Sequence, residues 1–346
     1  MSIEKVYLEL TDKCNLNCKI CYREAWNHSP VHMNKELLDI IISQITEIKE
    51  VKHIIFGGIG EPTLSPFIVD VIEKLSKFNI TITTNGTILN DEINQVLVKN
   101  ADEVVVSIDG LEVKYEKLRG TKLTKVEENV KNLIRTRESL NLKQPNICFQ
   151  FVASEDNIDD IFGIVDLAAD IGVNKLIISN LLPQTKENSH KILYRRYENK
   201  EMKHLFNKVR NYSFKKGINL ILPNIELKTE RRCNFINENA VYVTSSGDIV
   251  PCYRFSHSYT EFVFGRKKVV QKYSFGNIKE NSLIDIWDNR EYETFRKSVY
   301  YSTYPSCIDC DLVDGCDMVN DTDTNCYGIS PSCGDCLWSR NIIICP

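Results

Sequence analysis

The 346-residue chain has no apolar run approaching the ~20 residues that a membrane span needs. Its opening, MSIEKVYLEL, starts in strand-like alternation and lacks the basic stretch and apolar core of a secretory signal. No long run of Lys or Arg occurs and the net charge is −4, so neither nucleic acid nor a membrane surface is expected as a partner. What remains is a globular protein, expected in the cytoplasm, with 42% hydrophobic and 26% charged residues.

Cysteine is what the chain has in excess. There are thirteen, with three in residues 14–21, Cys148 alone in mid-chain, and nine between Cys233 and Cys345. In a reducing compartment such clusters read as metal sites rather than disulfides.

Up to about residue 182 the pattern alternates strand and helix. Apolar strand-like runs (KVYLEL, HIIF, ITITT, EVVVSI, NICFQFV, KLIIS) are separated by helix-like segments such as SPFIVDVIEKLSKF, where Ile68, Val71, Ile72 and Leu75 fall at i, i+3, i+4 and i+7. Six such repeats predict an α/β fold, a curved and partly open (β/α)6 barrel over 1–182 with helices outside a parallel sheet. Functional groups are then expected at the C-terminal ends of the strands. Residues 183–228 read as a polar, partly helical connector. From 229 to 346 turn residues multiply and helical periodicity fades, which predicts a small loop-rich domain folded around metal.

Cys14, Cys18 and Cys21, at C-x3-C-x2-C spacing, follow the first strand. Three thiolates can hold three irons of a [4Fe–4S] cluster and leave the fourth open. Zinc is the alternative, with His28 or His32 as a fourth ligand. A similar choice stands for the C-terminal cysteines, since C-x2-C pairs suit zinc equally well. Cys148, inside NICFQFV, reads as a small core residue, with a hydrogen-donor role as the alternative.

The triplet after a first strand resembles the signature of the radical S-adenosylmethionine (SAM) enzymes. That resemblance implies that the open iron binds SAM, which is cleaved reductively to a 5′-deoxyadenosyl radical that abstracts hydrogen from substrate. The FGGIGEP stretch after strand two (Gly57, Gly58, Gly60, Glu61) is similar to the family's Gly-Gly-Glu element, which implies contact with the SAM amino group. Asn85 in TTNGT, Ser107 and Asp109 in VVVSIDG, Arg119 in LRGT and Asn180 in ISNLLP occupy the family's later ligand loops. They imply contacts with SAM, Ser107 and Asp109 to ribose, Arg119 to the carboxylate and Asn180 beside adenine.

The C-terminal cysteines resemble the SPASM extension, which carries two auxiliary [4Fe–4S] clusters. Cys233-x13-Gly247-x4-Cys252 and Cys307-x2-Cys310-x5-Cys316 match its pattern, but Asn320 stands where that pattern has its next Cys. The resemblance implies Cys233, Cys252 and Cys326 on one cluster and Cys307, Cys310 and Cys316 on the other, completed by Cys333 and Cys336, with Cys345 spare. More narrowly, ICYREAW, NLLPQT, HSYTEFVFGRKK, KYSFGN and PSCGDCLWSRNIIICP resemble the radical SAM/SPASM maturases associated with tungsten-dependent aldehyde oxidoreductases. The implied partners are a low-potential donor of flavodoxin or ferredoxin type and a tungsten oxidoreductase or its tungstopterin, with a peptide or protein side chain as the alternative substrate. Outside the enzymes, the alternative is a non-catalytic iron–sulfur electron-transfer scaffold.

Overall fold

The computed structural model describes residues 2–26 and 29–345; His28 lies outside them. The strands are β1 Lys5–Leu8, β2 His53–Phe56, β3 Asn79–Thr84, β4 Glu103–Ser107, β5 Asn146–Ala153, β6 Lys175–Asn180, β7 Asn219–Ile221, β8 Ala240–Val243, β9 Asp248–Val250, β10 Tyr259–Val263, β11 Arg266–Val270 and β12 Gly276–Asn277. The helices are α1 Lys35–Glu47, α2 Ile68–Lys74, α3 Asp91–Asn100, α4 Glu112–Arg119, α5 Leu123–Ser139, α6 Ile161–Ile171, α7 Lys200–Lys215, α8 Asn234–Asn237, α9 Leu283–Trp287 and α10 Arg290–Tyr300.

Strands β1 to β6 pair in sequence order, all parallel, and β7 from the connector adds to β6 in the same sense. The other edge holds a feature the repeat pattern does not announce. β8 pairs parallel to β1, Lys5 opposite Ala240 through Leu8 opposite Val243, and β9 and β12 extend the sheet antiparallel beyond it. The C-terminal region therefore begins inside the barrel's sheet.

Alternation along the strands sorts side chains onto two faces. Val6, Leu8, Ile54, Phe56, Ile80, Ile82, Val104, Val106, Phe149, Phe151, Leu176 and Ile178 join the main core with the helices, including Leu38, Ile41, Val71 and Val130. Their neighbours face inward. Tyr7, Ile55, Tyr242 and Phe235 make one inner cluster; Val105, Cys148 and Ile177 make another, into which Ile344 packs. Helix starts carry local signals: Asn34 accepts from Leu37 N at 2.8 Å to cap α1, and Asn90 accepts from Ile93 N at 2.9 Å to cap α3.

Candidate active site and metal centres

At the C-terminal ends of β1 to β6 the inward face turns from apolar to polar and encloses a cavity of about 210 Å³. Cys14, Cys18 and Cys21 line it together with Gly58, Gly60, Glu61, Asn85, Ser107, Arg119 and Asn180. Gly57 stands just behind, where a Cβ would lie 2.6 Å from Thr83 Oγ1. The glycines let two loops touch. A Cβ on Gly60 would meet Lys13 O at 2.6 Å and Asp12 Cα at 2.7 Å, and Glu61 N donates to Lys13 O at 2.8 Å. The loop after β2 is thereby seated on the cysteine loop. His32 does not line this cavity; its backbone bridges to Thr11.

Cys21 feels the charge of Cys18 and Cys14, and Cys18 feels that of Cys14. Burial pushes Cys21 up to about 11 and raises Cys18, the latter opposed by the Arg119 guanidinium. A metal must therefore displace protons here. Donors already point at two sulfurs: Asn85 Nδ2 is 3.7 Å from Cys14 Sγ, and Arg119 Nη1 is 3.8 Å from Cys18 Sγ.

Glu61 and Asp109 both have protein partners for their carboxylates. The Glu61 carboxylate is taken up internally, accepting from Thr63 N at 3.2 Å, Thr63 Oγ1 at 2.6 Å, Thr84 Oγ1 at 2.7 Å and Asn85 N at 2.7 Å. Its visible work is to tie the loops after β2 and β3 together. Asp109 is fully buried and does not line the cavity. It accepts from Arg119 Nε at 2.6 Å and Val152 N at 2.7 Å, which gives it a hold on Arg119.

Gln150 is the lining residue that sequence reading missed, with Ser179, Tyr253 and Cys345. It sits opposite Ser107 in the β4–β5 register. An amide in the middle of an apolar strand was the available signal. Cys148, two residues earlier on that face, is fully buried in the inner core away from the cavity, and burial pushes its thiol up to about 12. Asn180 donates to Asn224 O at 3.0 Å and Ile342 O at 2.9 Å, while its buried Oδ1 has no partner.

A second cavity lies under β8 and β9. Cys233, Cys252, Cys333 and Cys336 all line it, among Phe235, Ile236, Phe255, Phe295 and Val299. Tyr253 lines both cavities. Cys307 senses Cys326 and Cys316 instead, and burial pushes it up to about 11; Cys307 and Cys316 pack with Val313 and Val319. Cys326 thus acts on Cys307 and is absent from the lining that Cys233 and Cys252 share with Cys333 and Cys336. The longer 317–325 loop returns Cys326 to its own group. Gly334 joins the two groups, its carbonyl accepting from Cys307 N at 2.7 Å. Cys345 accepts from Trp338 Nε1 at 2.9 Å and senses Cys336 rather than the N-terminal triplet. Among the described residues no three His, Cys, Asp or Glu side chains converge on a single ion; the thiols stand around cavities instead. Thiols gathered around cavities in this way are the donor chemistry that iron–sulfur clusters take.

Comparison with known proteins agrees. The profile of the radical SAM superfamily matches residues 8–143, and that of the SPASM iron–sulfur cluster-binding domain matches residues 233–311. A tungsten-containing aldehyde ferredoxin oxidoreductase cofactor-modifying protein from Pyrococcus furiosus is 39% identical over 346 residues, 99% of this chain and 96% of that one. A probable GTP 3′,8-cyclase from Methanocaldococcus jannaschii is 29% identical over 51% of this chain and 58% of its own. Among solved structures, anSMEcpe with bound AdoMet and a peptide matches with TM-score 0.63 at 17% identity, covering 93% of this chain and 92% of that one. Streptococcus suis SuiB bound to S-adenosylmethionine matches with TM-score 0.62 at 18% identity, covering 92% and 72%. The chain is a radical SAM enzyme with S-adenosylmethionine and iron–sulfur clusters as cofactors, and it belongs to the SPASM-bearing members of the radical SAM superfamily.

Proposed function

We propose that Cys14, Cys18 and Cys21 hold a [4Fe–4S] cluster with one iron open to SAM, and that the enzyme matures a tungsten-dependent oxidoreductase by acting on its tungstopterin or on the protein carrying it. The observation that carries the site is the grouping of Cys14, Cys18 and Cys21 on one cavity with Asn85 Nδ2 and Arg119 Nη1 directed at two of their sulfurs, while Cys345 on the same cavity feels Cys336 instead. The full-length similarity to the Pyrococcus furiosus protein supports the target. When bound, the cluster and SAM supply one-electron chemistry able to remove hydrogen from an unreactive C–H bond.

The chain's own share is positioning and shielding. Asp109 holds Arg119 by a buried ion pair, which keeps a guanidinium beside Cys18 and free on its cavity side to meet a carboxylate. Ser107 and Gln150 offer a hydroxyl and an amide to sugar hydroxyls, and Asn180 Oδ1 offers an acceptor. Gly58 and Gly60 bring backbone close to the ligand, and Glu61 braces that loop. The tail at Ile344 closes the barrel interior and excludes water.

In this reading Cys233, Cys252, Cys333 and Cys336 hold one auxiliary cluster, and Cys307, Cys310, Cys316 and Cys326 the other. A ferredoxin- or flavodoxin-type donor supplies electrons in the cytoplasm. The second reading, a peptide substrate, is supported by SuiB bound to its precursor peptide SuiA, which shares the fold.

Anaerobic incubation with SAM and dithionite should yield 5′-deoxyadenosine, and replacing Cys14, Cys18 and Cys21 together by Ala should abolish it with about four irons per chain lost. Undiminished product from that variant would refute the site. For the target, tungsten oxidoreductase from cells lacking this enzyme should gain activity on incubation with it; no gain would favour the peptide reading.

A further inference from the structure

Two residues after Cys252, Arg254 lines the four-thiol cavity with a side chain 1% exposed. Nη2 meets Glu261 and, at 3.2 Å, Asp335. Nε and Nη1 are buried with no hydrogen-bond partner. A buried guanidinium with unused N–H groups is expensive unless an acceptor meets them. Besides the four sulfurs the lining is Phe, Ile, Val, Pro and Trp with Tyr253, whose hydroxyl stands beside Gly57. Cys333 and Cys336 both feel the Arg254 charge.

Behind Arg254 the charges continue. Asp335, fully enclosed between Cys333 and Cys336 in sequence, is met by Arg266 at 2.9 Å and Lys268 at 3.2 Å. Lys268 and Asp335 in turn act on Cys307 of the other group. The network holds Arg254, Arg266 and Lys268 against Glu261 and Asp335, and spans from one thiol group to the other with Arg254 at the first.

We propose that Arg254 is the hydrogen-bond donor and counter-charge of the iron–sulfur cluster held by Cys233, Cys252, Cys333 and Cys336, through Nε and Nη1, and that Glu261 and Asp335 moderate that charge. This rests on the ligand set proposed above. Reduction adds one electron to the cluster, and a cation with N–H groups on its sulfurs stabilises the more negative state. Arg254 thus holds this cluster, the one behind Tyr253 and the SAM cavity, at a higher potential than it would otherwise have.

EPR-monitored redox titration of the anaerobically reconstituted full chain tests it, with iron content measured alongside. Arg254→Gln should move one auxiliary midpoint to lower potential, and Arg254→Lys should restore part of the shift. Glu261→Gln should move the same midpoint upward, and it decides the matter if the Arg254 variants fail to fold. Full iron with unmoved midpoints in Arg254→Gln, or no rise in Glu261→Gln, would overturn the assignment. A Cys336→Ala protein that keeps all its auxiliary iron would instead overturn the ligand set, and the role of Arg254 with it.

Discussion

Asp109 and Glu9 are both carboxylates at strand ends, and their neighbours give them different work. Asp109 is spent on Arg119 and Val152 N, so Asp109→Ala leaves a buried guanidinium unpaired. That should cost about 3–5 kcal/mol in anaerobic denaturant unfolding, with SAM affinity falling as Arg119 loses its hold. Unchanged stability with weakened SAM binding would restore a direct ribose contact. Glu9 is fully buried beneath the Gly58 loop, accepting from Tyr242 OH at 2.9 Å, Ile59 N at 3.1 Å and Ser245 N at 3.2 Å. Burial pushes its carboxyl from 4.5 up to about 7 against those bonds. The folded chain then keeps a proton that the unfolded chain releases, so stability is lost as pH rises from 4.5 through about 7. The loss is on the order of 3 kcal/mol at 1.36 kcal/mol per unit. Glu9→Gln should flatten this dependence; parallel stability profiles for both proteins from about pH 5 to 8 would contradict it.

At the scale of elements, the parallel strands and their helices were legible because apolar periodicity is local, and so were the loops bearing Cys14 to Cys21 and Gly57 to Glu61. Gln150 was hidden because an apolar strand with one amide at its centre still reads as core until its face is known. The side-chain direction of Asp109 was equally hidden, since it lies past the end of β4, where alternation stops. Sulfur grouping was illegible for another reason: the 317–325 loop sets which way Cys326 returns, and turns carry no period. Cys326→Ala should therefore perturb the same EPR signal as Cys310→Ala, while Cys336→Ala perturbs the other; a shared signal for Cys326 and Cys336 would reverse the grouping. The tail adds its own case. Ile344 N donates to Ser179 Oγ at 3.0 Å and Asn224 N to Asn341 O at 2.7 Å, so this segment is pinned to the barrel. Cys345→Ala should keep the auxiliary iron whole and let Trp338 lose one partner; a loss of about four irons would make Cys345 a ligand.

For the whole molecule, metal and apolar burial hold different parts. The barrel core runs continuously from Ile3 to Tyr304, whereas Cys307, Val313 and Val319 form a small cluster of their own. Chelating the iron should raise hydrogen exchange across residues 307–336 and leave β8 protected, because β8 is bonded into the sheet beside β1. Equal deprotection of β8 would show that metal holds the sheet edge too.

That same pairing has a consequence during synthesis. β1 leaves the ribosome well before its partner on one side, Ala240–Val243, is translated. At roughly 5–20 residues per second the nascent chain carries a bare strand edge for about ten seconds to a minute. Throughout that interval the cysteine loop following β1 hangs from a half-built sheet. Delivery of iron to Cys14, Cys18 and Cys21 is therefore best timed after release, and cells short of chaperones should accumulate this protein in aggregates before they accumulate it without metal.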